Sequence, residues 1–172
     1  MPHPLLLGLF DDRASAAGAA RALHGSGIDR EHLSVVARTH DEEGRLAVEL
    51  DGTPGADLED SRRAARLGEL SGVLLAAMAV IMPGIGPIVA AGPLSAGLGE
   101  AAGQVAGGLR QILSHAGVPA AQAAELEAAV RDGGVLLGVH TDPADVDRVA
   151  RVLEQYGART VARAQWGPAS LD

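Results

Sequence analysis

Histidine and aspartate are the residue types in this chain whose placement could do chemistry. The sequence of 172 residues contains six histidines: His3, His24, His32, His40, His115 and His140. Imidazole nitrogens ligate zinc, and helical zinc sites place two histidines four residues apart. No two histidines here have that spacing. The sequence therefore predicts no metal site and no bound cofactor.

The aspartates and one histidine stand next to predicted strands. Asp11, Asp12 and Asp142 would form a carboxylate cluster if those strands pair, but helix capping explains Asp12 and Asp142 more simply, at about 1 kcal/mol each. His140 ends a predicted strand, where we expect a surface position. None of these residues requires a catalytic role.

Several kinds of catalysis are excluded by composition. The chain has no cysteine, and all 14 basic residues are arginine. Thiolate nucleophiles, Schiff bases and a P-loop lysine are therefore impossible. No Gly-x-Ser-x-Gly elbow is present, and the sequence Gly-Ile-Gly-Pro at residues 84–87 lacks the third glycine of a dinucleotide-binding loop. We expect a protein without enzymatic activity.

Size and charge narrow the class of protein further. A mass of 17.4 kDa suggests one domain, or one domain carrying a large insertion. A net charge of −8 argues against nucleic acid as a partner. The first apolar run is too short for a signal peptide and follows no basic region, so we expect a cytoplasmic protein.

An internal repeat organises the two ends of the chain. Residues 5–28 and 135–158 are identical at nine of 24 positions without a gap. Each copy contains an apolar run, an aspartate suited to a helix N-cap, a helical stretch and a glycine suited to a left-handed C-cap, which is Gly27 or Gly157. A second strand follows each helix, over residues 32–37 and 159–164.

Two β-α-β units predict an α+β fold, a ferredoxin-like βαβ–βαβ sandwich with a four-stranded antiparallel sheet and helices on one face. This domain would comprise residues 1–60 and 116–166, with an inserted apolar, glycine-rich helical hairpin over 61–115 and a tail over 167–172. A further helix is predicted over residues 118–132. A strand hairpin containing the alternating residues 45–50 would extend the second strand.

The inserted segment is the most unusual part of the sequence. Residues 70–99 carry no charge. The pattern predicts helices over 62–82 and 94–115, joined by a loose stretch over 88–93 and by a tight turn that contains Pro83, Gly84, Gly86 and Pro87. The second helix would present three glycines spaced four apart, which allow another helix to approach closely: Gly99, Gly103 and Gly107.

Two environments for this hairpin remain open. Leu74, Leu75, Val80 and Ile81 would face either lipid or a neighbouring hairpin. The uncharged part of the first helix spans about 20 Å against a bilayer core of about 30 Å. Glu100 inside the second helix would cost roughly 3 kcal/mol in lipid. Shallow insertion at the cytoplasmic face of the inner membrane and burial between subunits both fit these lengths.

Three stretches resemble the bacterial general stress protein family, whose domains are also described as heat-induced or low-temperature-induced. They are LLLGLFDDRASAAGAARAL with the following HLSVVAR, then PGIGPIVAAGPL, and GVPAAQAAELEAAVRDGGVLLGVHTD. The resemblance implies a stress-linked, non-catalytic protein and supplies no catalytic residues.

Two functions follow as hypotheses. The first is a structural protein that forms homo-oligomers through its glycine-rich hairpin. Its partners would be other copies of itself and, if the hairpin inserts into the membrane, lipid. The alternative is a small-molecule-sensing regulatory module, because ferredoxin-like domains can pair into sheets that bind effectors at their interfaces.

The glycine face yields a direct prediction. Gly103→Leu should break or reshape the oligomer, because it places a bulky side chain where two backbones would nearly touch. Sedimentation measures the particle size, and circular dichroism checks that the helical content is intact. An unchanged particle size would mean that the glycine face is not at the subunit contact.

Overall fold

The structure of the chain is a computed structural model that describes residues 2–38, 77–82, 86–91 and 108–166. These residues form an α+β fold. The strands are β1 (His3–Phe10), β2 (Leu33–Arg38), β3 (Ala77–Met82), β4 (Gly86–Ala91), β5 (Val135–His140) and β6 (Thr160–Trp166). The helices are α1 (Arg13–Gly25), α2 (Gly108–His115), α3 (Ala120–Arg131) and α4 (Val146–Gln155), with 3₁₀ turns at Arg30–His32 and Pro143–Asp145.

The described strands form one antiparallel sheet in the order β3-β4-β2-β5-β1-β6. Strand β1 lies between β5 and β6, and β2 lies on the other side of β5. The predicted strands of the two repeat copies are therefore confirmed as neighbours in one sheet. Because β1 and β2 are both antiparallel to β5, they run parallel to each other with β5 between them.

Helix α1 begins and ends as its sequence predicts. The backbone N–H of Ser15 donates to Asp12 Oδ1 at 2.8 Å, and the Ser15 hydroxyl donates to Asp12 Oδ2 at 2.8 Å. These bonds hold the pKa of the Asp12 carboxyl below its ordinary value. Gly27 follows the helix with φ of +100°, and the Ile28 N–H bonds to the Leu23 carbonyl, which closes the C-terminal turn.

The second copy ends in the same way but begins differently. Gly157 has φ of +92°, and the Ala158 N–H bonds to the Leu153 carbonyl. The Asp142 carboxylate makes no capping hydrogen bond, so the prediction that it caps the helix is wrong. Pro143 instead opens a 3₁₀ turn, and the α-helix begins three residues later at Val146.

Helices cover both faces of the sheet. Helices α1 and α4 pack on one face, where Leu23 and Leu153 are both fully buried. Helices α2 and α3 pack on the other face, with Leu113 and Leu126 in that second core. The prediction that all helices share one face is therefore wrong for the helix that follows Pro119. Strands β1 and β5 read LLLGLF and VLLGVH, near-continuous apolar runs typical of strands buried on both sides.

The two repeat copies present opposite strand faces. Leu6 lies in the core beneath α1 and α4, whereas its counterpart Leu136 lies in the core beneath α2 and α3. A shift of one residue in a strand exchanges its two faces. Either orientation of the strand buries its apolar side chains here, because each face of the sheet is covered by its own pair of helices.

The inserted segment departs from the predicted helical hairpin. Ala77–Met82 is a strand, not the end of a helix, and Gly86–Ala91 is a strand rather than a loose connection. The two strands pair from Ala77↔Ala91 to Met82↔Gly86, and β4 continues the sheet beyond β2. Periodicity alone cannot separate a short apolar strand from part of a buried helix, and the branched Val80, Ile81 and Val89 favour the strand.

Only some of the other elements predicted for this region fall within the described residues. The helix predicted over 94–115 is present as α2 at its end, and residues 94–107 lie outside the described part of the chain. The strand hairpin predicted around residues 45–50 also lies outside it. Among the described residues, none of the helices is long and apolar enough to span a bilayer.

The contact between β1 and α4 gives a stability test. A Cβ atom added to Gly8 would lie 3.0 Å from Leu153 Cδ2 and 3.1 Å from Phe10 Cε2. Leu153→Ala should cost about 2–5 kcal/mol of unfolding free energy. In a Gly8→Ala background the same change should cost less, by at least about 0.5 kcal/mol, because the added methyl group fills part of the space that Leu153 leaves.

Urea unfolding of the parent, the two single variants and the double variant measures this coupling. Additive free energies would show that Gly8 and Leu153 do not share a packing site.

Candidate functional site

A cavity of about 300 Å³ opens at the end of the sheet where β1 begins and β5 ends. We call it the histidine cavity. Three histidines, one threonine and three aspartates supply its polar lining: His3, His32, His140, Thr141, Asp29, Asp142 and Asp145. These residues come from the start of β1, the turn before β2 and the segment after β5, three parts of the chain that are distant in sequence.

Strand pairing brings the histidines together. His140 lies opposite Leu5 on β1, and His3 lies opposite Trp166 on β6. His32 directly precedes Leu33, which pairs with Val139, so His32 lies beside His140 at the end of the sheet. One imidazole or indole thus stands at the same end of each of the adjacent strands β2, β5, β1 and β6.

His140 is the buried member of this group. Only 2% of its surface is exposed, so the predicted surface position at a strand end is wrong. Its Nδ1 lies 2.8 Å from His3 Nε2, a hydrogen bond between two imidazoles. The Trp166 and His140 rings also pack in a T-shaped arrangement, with the ring centroids 5.6 Å apart.

Burial controls the protonation of His140. The pKa of His140 is lowered from 6.5 to about 4, mainly by loss of solvation and to a smaller extent by electrostatic repulsion from the nearby His3 and His32. A general base works best when its pKa is close to the working pH. At neutral pH His140 is therefore a neutral hydrogen-bonding group, poorly matched to proton transfer.

Aspartates make the mouth of the cavity acidic. Asp145 is paired with Arg148 at 2.9 Å, and Arg148 also donates to the Ser26 carbonyl at 2.9 Å, which ties the start of α4 to the end of α1. Asp29 and Asp142 are exposed. In the described residues no group of three histidine or carboxylate side chains has the spacing of a metal site.

The carboxylate cluster considered from the sequence does not form. Asp11 and Asp12 follow β1 at the end where Phe10 pairs with Val135, whereas Asp142 follows β5 at the opposite end. Antiparallel pairing therefore places Asp142 at the opposite end of the strands from Asp11 and Asp12. Asp11 instead pairs with Arg159 at 2.6 Å.

The predicted hairpin residues are only partly placed. Val80 and Ile81 lie in β3, and Gly86 and Pro87 lie in β4. Outside the described residues are Leu74, Leu75, Pro83, Gly84, Gly99, Gly103 and Gly107. The glycine face of the second helix stays a prediction.

Comparisons of this chain with protein-family models, with curated proteins and with solved structures gave no match. Functional inference therefore depends on the geometry of the chain itself.

The buried histidine gives a prediction for pH dependence. The folded state keeps His140 neutral down to about pH 4, whereas the unfolded chain takes up this proton near 6.5. Unfolding then binds a proton between these two values, so the free energy of unfolding should decrease as the pH falls from 6.5 toward 4. Above 6.5 this group should have no effect.

The matched variants are His140→Phe and His115→Phe. Phenylalanine stands at the corresponding place in the first repeat copy, as Phe10, and His115 is exposed at the end of α2. Urea unfolding gives the free energy of unfolding at each pH in this window. That free energy should depend less steeply on pH in His140→Phe than in the parent, and as steeply as in the parent in His115→Phe. An NMR titration of the parent that placed the midpoint of His140 near 6.5 would contradict the account.

Proposed function

We propose that this chain is a non-catalytic structural protein that assembles into homo-oligomers through its uncharged central segment. The observation that carries the proposal is the position of β3. It is the outermost strand on its side of the described sheet, and its six residues, Ala77–Met82, carry no charge.

An outermost strand has one row of backbone N–H and C=O groups that no strand of its own sheet satisfies. Proteins protect such edges with charged residues, proline or a covering element, because another chain can pair with them. The sequence of β3, AMAVIM, contains neither charge nor proline. Pairing of β3 with the β3 of a second copy would satisfy these groups and cover the apolar strand.

The domain whose sheet β3 and β4 extend is, in our proposal, a ferredoxin-like βαβ–βαβ sandwich over residues 1–60 and 116–166. The order β6-β1-β5-β2, with α1 and α4 on one face, supports it. The segment over 61–115 is then an insertion between β2 and β5 that returns to the sheet beside β2. The stress-linked role implied by the sequence resemblance belongs to the same proposal.

Strand pairing also bears on the environment of the inserted segment. The residues of β3 and β4 are hydrogen-bonded into the same sheet as β2, which favours burial between copies of the chain over insertion into lipid. The pKa of His140, about 4, makes this one residue a weak general base at neutral pH, and the composition excludes thiolate and lysine nucleophiles.

The histidine cavity favours a second candidate function, a small-molecule-sensing module. The cavity is at the lower end of the size range of ligand sites in proteins, about 300–1,000 Å³. Its polar side chains converge from separate parts of the chain, as they do in binding sites. Sensing and assembly use different surfaces, so the two functions can be tested separately.

The assembly proposal predicts the effect of one added charge. Ala79→Lys, in the middle of β3, should shift the protein toward the 17.4 kDa monomer, because an edge lysine opposes strand pairing between copies. The matched control is Ala121→Lys on an exposed position of α3, which adds the same charge and should leave the particle size unchanged. Sedimentation velocity at several protein concentrations measures both.

Three results would contradict the proposal. The parent chain could sediment as a monomer at high concentration, Ala79→Lys could leave the oligomer intact, or both lysine variants could dissociate it equally. Flotation of the parent with lipid vesicles, lost in Ala79→Lys, would assign the edge to membrane binding instead.

A further inference from the structure

Two adjacent buried side chains at the histidine cavity have polar atoms that find no partner among the described residues. His140 Nε2 and Thr141 Oγ1 make no hydrogen bond within the described part of the chain. His140 is 2% exposed and Thr141 is 8% exposed, and both line the cavity. A buried polar group without a partner destabilises the folded state, so two such atoms beside one cavity favour a site for a ligand that supplies the missing hydrogen bonds.

The tautomer of His140 decides what its Nε2 can offer, because either imidazole can donate in the hydrogen bond between His140 and His3. When His140 Nδ1–H donates to His3 Nε2, His140 Nε2 keeps a lone pair and accepts a hydrogen bond. Burial lowers the pKa of His140 to about 4, so this lone pair stays available at neutral pH. Thr141 Oγ1 is a second acceptor, and its backbone N–H is already bonded to the Pro4 carbonyl.

The charge around the cavity favours a cation. The charged residues among its lining are Asp29, Asp142 and Asp145, and only Asp145 has an arginine partner in the described structure. Acidic walls raise the local concentration of positive ligands. The described side chains do not supply three donors at metal spacing, so the acceptors suit a cation that brings its own N–H donors better than a bare metal ion.

The geometry points to a binding site for a small organic cation with a primary ammonium group. The ammonium group donates to His140 Nε2 and Thr141 Oγ1, and the carboxylates of Asp29 and Asp142 compensate its charge at the mouth of the cavity. This inference rests on the second candidate function and is independent of assembly through β3. A volume of about 300 Å³ accommodates an aliphatic amine or diamine.

The test is calorimetric titration of the full chain with 1,4-diaminobutane at neutral pH and low salt. His140→Phe and Thr141→Val each remove one acceptor and should weaken binding by about tenfold or more. His115→Phe lies outside the cavity lining and should bind like the parent. Tetramethylammonium, which has charge but no N–H donors, and 1,4-butanediol, which has donors but no charge, should both bind much more weakly.

A second measurement avoids dependence on variants that fold poorly. In the parent chain, the NMR signal of His140 Cε1–H should shift on addition of the diamine, whereas that of His115 should not. Thr141→Val is nearly isosteric and provides a variant with little change in packing.

The inference is overturned by several results. These are no binding at millimolar diamine, equal binding by the parent and both cavity variants, and equal binding of tetramethylammonium, which would reduce the effect to nonspecific charge attraction. If Zn²⁺ prevented binding of the diamine and shifted the NMR signals of both His3 and His140, the cavity would be a metal site instead. An oligomer that survives while diamine binding fails would leave the assembly proposal intact.

Discussion

Apolar burial on both faces of the central strands is the constraint on which the rest of this structure depends. Leu5, Leu7 and Leu9 of β1 pack under α2 and α3, while Leu6 and Phe10 of the same strand pack under α1 and α4. A strand of this composition would expose large apolar side chains if either layer of helices were removed. The chain between β2 and β5 must therefore supply a second layer, and it does so with α2 and α3, which return directly into β5.

This double coverage also explains the chemistry at the end of the sheet. A side chain at the last position of β5 would be exposed if one face of the sheet were open to water. With both faces covered, His140 is enclosed by its neighbours in β1 and β6, and its imidazole loses most of its solvation. The cavity lies at the rim of this packed sheet, where β5 ends at His140 and Thr141 follows.

The sequence predicted the repeated framework well but missed the two strands of the inserted region, β3 and β4. Capping residues such as Asp12, Gly27 and Gly157 act locally, so the boundaries of helix α1 and the ends of both repeat helices could be read from their order in the chain. The choice of sheet face is not local. The continuous run LLLGLF is typical of burial on both sides. The face that the helix within residues 118–132 covers depends on where the chain crosses the sheet, which no local pattern states.

The inserted strands and the cavity were missed for a related reason. Ala77–Met82 is too short for its period to identify a strand, and its partners lie on β4 and, through it, on β2. His3, His32 and His140 have no local spacing in common, and they meet only because β5 runs antiparallel between β1 and β2. The repeat predicted a ferredoxin-like sheet, and in such a sheet the starts of β1 and β2 lie beside the end of β5. That strand order is the one feature of the sequence that could have indicated the cavity.

The most direct test of this account is a methyl–methyl NOE spectrum of the chain with labelled leucine and valine side chains. Leu126 of α3 should give NOEs to methyl groups of its own core, which includes Leu7 and Leu136. Leu153 of α4 should give NOEs to the core that includes Leu6 and Leu137. NOEs from Leu126 to Leu23 or Leu153 would place all the helices on one face and contradict this account.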